Sequence, residues 1–201
     1  QIRFKADDGS EFGEWENTTL DDVVIGMQSG LSRQLKDEDT GLIVLRSNNV
    51  IDNKISYEDV KYWYLDDPQG ANVANYILQD RDILVNFINS MAQIGKSALY
   101  RKVLDRQIIC TTNILRLQAN IQKIKSEFLN YIFQTNEYQN YIQSITKPAV
   151  NQASFTTKEF KMMRFQLPCL GEQTKIANFL SSIDQKIEVV AQQIEQAKTW
   201  K

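Results

Sequence analysis

The chain has 201 residues, 42% of them hydrophobic and 24% charged, a composition ordinary for a soluble globular protein and contrary to disorder. Its net charge of −2 hides a division, because residues 1–90 carry 8 Lys/Arg against 17 Asp/Glu while residues 91–201 carry 15 against 8. No apolar run reaches the roughly 18 residues that a membrane span needs, and the absence of histidine removes Ser-His and Cys-His nucleophile pairs and mixed cysteine–histidine zinc sites.

Taken in chain order, the residues predict one α+β unit and a long terminal helix. Thr18 or Thr19, with Asp21 or Asp22 three residues on, has the pattern of a capping box. It predicts a short helix running through Val23 to Met27 and stopping at Ser29-Gly30. An acidic linker, 36–41, follows. Leu42–Arg46, Asp82–Ile88, Ala98–Leu104, Gln107–Thr111 and Ile114–Leu117 are short β-rich runs separated by turn residues, the punctuation of a mixed sheet. Phe128, Leu129, Ile132 and Phe133, then Tyr138, Tyr141, Ile142 and Ile145, read as two helical segments with one buried face each, the second ended by Pro148. Thr156 or Thr157 caps a short turn to Lys161, and Met163–Leu167 reads as a last strand. Cys110 and Cys169 stand far apart and predict free thiols in a reducing cytoplasm. Gln1 with its charged neighbours is no signal peptide, and the native start is expected upstream of it.

Two stretches imitate enzyme motifs. Ser90–Ser97 reads Ser-Met-Ala-Gln-Ile-Gly-Lys-Ser and misses a phosphate-binding loop at its first glycine, where the chain must curl so that its amides face the phosphates. The next residues, 98–104, read as strand and not as the helix that motif needs. Asp59-Val60-Lys61, with Asp52 upstream, resembles the metal-binding acid and lysine of some nucleases, but it lies in an acidic, turn-rich stretch that reads as a solvated loop. No catalytic residue, metal ligand or cofactor site is assigned.

From Leu170 onward a seam runs to the end of the chain. Ile176, Leu180, Ile183, Ile187, Val190, Ile194 and Ala197 alternate steps of four and three, the 3.5-residue period that keeps one apolar stripe toward a partner helix. Polar residues such as Lys175, Gln185, Lys186, Gln192 and Glu195 fill the other faces.

The same stretch carries a family resemblance. Leu167-Pro168, then Glu172-Gln173, Ile176, Leu180, Asp184 and Ile187 resemble the helix opening of specificity subunits of type I restriction-modification enzymes. Ile2-Arg3-Phe4, Gly13-Glu14-Trp15, Leu20, Gly30, Asp82-Ile83-Leu84, Ile94-Gly95-Lys96 and Asn151-Gln152 follow in the order which that family shows. The resemblance implies a mixed-sheet target-recognition domain, 1–168, and a coiled-coil arm, 169–201. In that family two recognition domains, joined by two long helices, each read half of a split double-stranded DNA site. The helices hold methyltransferase subunits, and restriction subunits join through these. One domain and one helix are similar to half of such a subunit, paired with a second half or with its own copy. The chain lacks the glycine-rich loop and the Asn/Asp-Pro-Pro-aromatic site of a methyltransferase, its prolines being Pro68, Pro148 and Pro168. It is expected to guide such an enzyme in the cytoplasm without being one. The alternative is a homodimeric coiled-coil interaction protein whose globular domain does not bind DNA, with a metal-dependent nuclease third.

Residue types name the DNA contacts. The sign asymmetry between the halves suggests a polyanion partner. Arginine pairs two-pronged with guanine, and asparagine or glutamine with adenine. Arg46, Asn48 and Asn49 stand together after a strand, with Arg33 before it and Lys54 after it; Lys147, Asn151 and Gln152 form a second cluster. These are the candidates for base reading. Lys96, Arg101, Lys102 and Arg106 are candidates for phosphate contacts, which orient a protein without carrying sequence information.

Overall fold

The computed structural model describes residues 3–150 and 152–199, the last of these by its backbone alone. The strand β1 (Glu16–Thr19) leads into a one-turn helix α1 (Leu20–Val23), and the chain returns at once to extended backbone in β2 (Val24–Ser29). Then come β3 (Gly41–Leu45), the small hairpin β4 (Val50–Ile51) and β5 (Lys54–Ile55), and β6 (Lys61–Tyr64). Five more strands follow, β7 (Ile83–Asn86), β8 (Ile88–Asn89), β9 (Ser97–Leu99), β10 (Ile108–Cys110) and β11 (Ile114–Ala119). The last third holds α2 (Ser126–Ile132), α3 (Asn136–Ile145), a hairpin β12 (Lys147–Pro148) and β13 (Ala153–Ser154), α4 (Thr157–Lys161), β14 (Arg164–Leu167) and α5 (Leu170–Thr199). The fold is α+β, as the residue pattern predicts.

An antiparallel sheet in the order β2-β11-β7-β9 lies beside a mixed sheet, β10-β3-β6, in which β10 and β3 are parallel. The predicted capping box is present: the hydroxyl and N–H of Thr19 both donate to Asp22 Oδ2, at 2.6 and 3.0 Å. The helix it opens is shorter than expected, however, ending at Val23. Val23, Val24 and Ile25 form a β-branched run, stiff at χ1 and suited to a pleated surface, and residues 24–29 are taken up as the ladder partner of β11. Gly30 does not stop a helix. A Cβ there would lie 1.9 Å from the carbonyl oxygen of Cys110, so glycine is what lets the end of β2 close on the 110–111 backbone. The run 98–104 is strand only to Leu99, and β6 falls in a stretch to which the residue pattern assigns no element.

Helices α2, α3 and α4 cover one face of the antiparallel sheet. Phe133 and Tyr138 stack with centroids 4.7 Å apart, and Phe160 packs against both, between them and Phe155. All four are buried, with Ile83, Val85, Leu115 and Leu117 beneath them. Tyr138 donates its hydroxyl to the carbonyl of Gly95 at 2.6 Å, and Gly95 has φ +79°, where a Cβ would lie 2.7 Å from Ile142 Cγ2. The 91–95 turn that imitates a phosphate loop is thus closed onto α3, and β9 follows it, as expected, in place of a helix. A second core lies between the two sheets around Leu45, Leu84, Ile108 and Ile114.

Asp82 sits at the edge of that second core with its side chain 4% exposed. Its Oδ2 accepts the N–H of Gln79 at 2.8 Å, and Arg116 Nε stands 3.9 Å away. Burial pushes its pKa from 3.8 to about 6, against the opposing effects of the Gln79 hydrogen bond and the Arg116 charge. The folded state therefore keeps a proton that the unfolded state releases, and stability falls as pH rises through that window, by about 3 kcal/mol in full. Asp82→Asn should unfold at a higher urea concentration than the parent at pH 7 and at a similar one at pH 4. A difference independent of pH contradicts this account.

Candidate nucleic-acid interface

Strands β3 and β10 run parallel, so their C-terminal ends open on the same side, where Thr111 N–H bonds to the Leu45 carbonyl at 2.9 Å. The end of β2 joins them, with Leu31 N–H bonded to the Cys110 carbonyl at 2.9 Å. Three loops therefore converge, and Ser32, Arg33, Arg46, Ser47, Asn48, Thr112 and Asn113 line an open groove of about 360 Å³. Ligands of layered sheets often bind at such strand ends, since a rigid frame there holds loops that vary freely.

The arginines of the groove are held, not loose. Arg33 reaches Asp67 with Nε at 3.1 Å and Nη2 at 2.6 Å. The Arg33 guanidinium, outweighing burial, holds the Asp67 carboxyl well below the usual carboxylate range. Arg46 donates Nη2 to the carbonyl and carboxylate of Asp59, at 2.6 and 2.7 Å, and its Nε is buried without a protein partner. Asp59, the acid of the nuclease-like triplet, is thereby paired with Arg46, and Lys61 lies 3.5 Å from it.

Asn48 is exposed on the groove, but Asn49 is 1% exposed. The Asn49 amide oxygen accepts the Arg46 N–H at 2.8 Å, and its NH₂ donates to the carbonyls of Ser56 and Glu58. Its side chain is spent on shaping the loop and has nothing left with which to pair a base. Lys54, on the β4–β5 hairpin, reaches Glu188 of α5 at 2.9 Å, away from the groove.

The second polar cluster joins the first through the backbone. The N–H groups of Phe87 and Ile88 both donate to the Asn113 carbonyl, at 3.1 and 3.4 Å, and β8 pairs with β13. The β12–β13 hairpin thus projects beside the groove, with Lys147 and Gln152 exposed on it. Asn151 lies outside the described residues. Thr111, Thr112 and Asn113 were not anticipated, although their polar turn chemistry between two recognised strands is a signal that could have found them.

The four expected phosphate contacts do not form one patch. Arg106 is clamped by Asp39, at 2.8 and 2.7 Å, near the opposite ends of β3 and β10. Arg101 pairs with Glu127 at 2.7 Å in a cleft against α5. Lys96 lines a separate cavity beside α3, and Lys102 is exposed next to Arg101. Nor is the charge division of the sequence a division in space. Arg106 with Asp39, Arg101 with Asp80, Lys161 with Asp21 and Lys175 with Asp7 each bring a base of the second half to an acid of the first. The polyanion argument from sequence asymmetry therefore loses its force.

Helix α5 leaves the domain from a tight anchor. Glu172 and Gln173 are fully buried. Glu172 accepts Arg3 Nε at 2.9 Å, Arg3 Nη2 at 3.1 Å and the indole N–H of Trp15 at 2.9 Å. Burial pushes the Glu172 carboxyl up, but the hydrogen bonds from Arg3 and Trp15 outweigh it and leave the pKa below its ordinary value. Gln173 accepts the Lys125 N–H at 2.8 Å and donates to the carbonyls of Lys123 and Pro168, at 3.0 and 2.8 Å. Further along, Asp184 accepts the Tyr131 hydroxyl at 2.7 Å. The seam lies on the neighbouring flank. Ile176 and Leu180 are half-buried, while Ile183, Ile187, Val190 and Ile194 are 37, 62, 52 and 51% exposed, and Ala197 is exposed too.

Comparison with known proteins adds a family. Residues 13–199 match the family model of the type I restriction modification DNA specificity domain. The chain is 33% identical over 190 residues to the putative type I restriction enzyme MjaX specificity subunit of Methanocaldococcus jannaschii, covering 92% of this chain and 44% of that protein. It is 24% identical over 186 residues to the StySPI specificity subunit of Salmonella potsdam, covering 92% and 39%. The fold is similar to the crystal structure of the type I restriction-modification S subunit from M. genitalium, with TM-score 0.61 at 16% identity, covering 96% and 45%. The chain spans less than half the length of each of these relatives.

Proposed function

We propose, from the premise that this chain belongs to the type I restriction modification DNA specificity family, that it reads one half of a bipartite DNA site and catalyses nothing itself. Residues 1–168 serve as the target-recognition domain and 169–201 as the arm. The arm pairs with a second helix, from another half subunit or another copy, and docks the methyltransferase subunits, with restriction subunits attached through them. Modification and cleavage are then the work of those partners.

The observation that carries this reading is the convergence of the 31–33, 46–48 and 111–113 loops into one polar groove. The groove holds two arginines, each engaged by an aspartate, and the exposed amide of Asn48, residue types that distinguish guanine and adenine edges in the major groove. Asp67 and Asp59 hold the two arginines in place before DNA arrives, which lowers the ordering cost of binding.

The test is made on the chain assembled with its methyltransferase subunits, by mapping modified sites across a genome. Losing Arg46 or Asn48 to alanine should cost about 1–3 kcal/mol on the correct target and little elsewhere, relaxing one base pair. Lys147→Ala, on the hairpin beside the groove, should instead weaken all sequences alike and reduce the salt slope by about one. Unchanged methylation specificity in both the Arg46 and Asn48 variants removes the groove from the recognition surface.

A further inference from the structure

The most exposed large apolar side chain described is Val150, 99% accessible. It stands at the tip of the β12–β13 hairpin, which is closed by a hydrogen bond from Ala149 N–H to the Gln152 carbonyl at 2.7 Å. The fold does not call for valine there. Hairpin tips favour glycine, asparagine and aspartate, and a β-branched residue is a poor turn former. A side chain touching nothing also contributes nothing to the core. Yet the hairpin beneath it is firmly seated. Lys147 and Pro148 pair with Ser154 and Ala153, Ala153 and Ser154 pair with Asn89 and Ile88, and Phe155 is buried in the aromatic cluster. Lys147 is further tied to Glu159 at 3.4 Å. An apolar residue flanked by the exposed Lys147 and Gln152 thus stands out on the turn between two strands of a three-stranded sheet, β12-β13-β8, next to the groove.

We propose that this projecting turn enters the major groove of DNA and that Val150 reads the C5-methyl group of a thymine. The inference rests on the DNA-reading function proposed above and adds to it a residue and a base. The major groove is wide enough for a two-stranded β-ribbon and so for the narrower turn that joins β12 and β13, and thymine is the one base that presents an apolar group there. Valine's two methyls match that group, while Lys147, on the same hairpin, meets a phosphate and sets its depth.

Thymine replacement by deoxyuridine tests this directly, since it deletes the methyl and leaves base pairing unchanged. The half-site is first mapped with the wild-type chain assembled with its methyltransferase subunits. Each thymine of that half-site is then replaced in turn, and duplex binding is titrated for wild type and Val150→Ala. One replacement should weaken the wild type about fourfold, the worth of one buried methyl, and should not affect Val150→Ala. That variant should melt with the wild type, because the side chain touches nothing in the fold. The proposal is overturned if every replacement acts equally on both proteins, or if the mapped half-site contains no A·T pair. Binding by the wild type with no sequence preference at all overturns the DNA-reading function as well, so the two failures are distinguishable.

Discussion

Gln173→Ala is expected to be the most destabilising single change in the helix anchor, at about 3 kcal/mol, lowering the melting temperature by roughly 10 °C. The side chain is fully buried and its three hydrogen bonds all go to backbone groups, at Lys123, Lys125 and Pro168. Truncation leaves those groups unpaired, the Pro168 carbonyl in a fully buried position, and an unsatisfied buried donor or acceptor is dearer than an average hydrogen bond is worth. One of them is the N–H of the residue capping α2, among the helix's four orphan donors. Glu172→Ala should cost less, about 2 kcal/mol, because water reaches Arg3, which is about a third exposed, and repays part of the loss. Its readout is also local. Residues 3–15 wrap the first turns of α5 through Glu172 and through Phe4, whose ring meets Phe179 edge-on at 5.5 Å. Hydrogen exchange in that segment should accelerate in Glu172→Ala while β11 stays protected. Equal melting of Gln173→Ala and wild type would show that the anchor does not hold the helix.

These contacts give a physical reason for the most legible part of the sequence. The Glu-Gln pair before the seam stands out as a motif because each residue is fully used, one fastening the N-terminal segment and the other the loop before α2. Local signals were readable: the Thr19 and Asp22 capping box of α1, the apolar faces of α2 and α3, and the seam itself all depend on spacings of three or four residues. Long-range pairing was not. Strand β1 exists because β14 lies beside it, with Glu16 opposite Leu167, and no local pattern announces a partner so distant in sequence. Residues 24–27 were misread for the same reason, since β11 claims them as a strand. Of the residues singled out by type alone, Arg46 and Asn48 come together on the candidate groove. Asn49 was misassigned because a buried loop-shaping asparagine and an exposed base reader look alike until burial is known. Charge counted along the chain failed because folding pairs the acidic half with the basic half.

Ile187→Glu should weaken association of the arm about a hundredfold while leaving the domain folded. In the free chain Ile187 is 62% exposed, so a glutamate there is solvated and the melting temperature should hardly move. In a complex the same position lies between Ile183 and Val190 on a stripe of 3.5-residue period, where knobs pack into the holes of a facing helix. A carboxylate enclosed there without a partner costs several kcal/mol, and a loss of only about 2.7 kcal/mol is already a hundredfold in affinity. Val189 supplies the control. It is 51% exposed, comparable with Val190 beside it, but it points about 100° away from the stripe. Sedimentation of the chain, and capture of its methyltransferase subunits, should therefore be lost in Ile187→Glu and kept in Val189→Glu. If the two variants behave alike, the helix is bound through general apolarity or not at all, and the seam is not the docking surface.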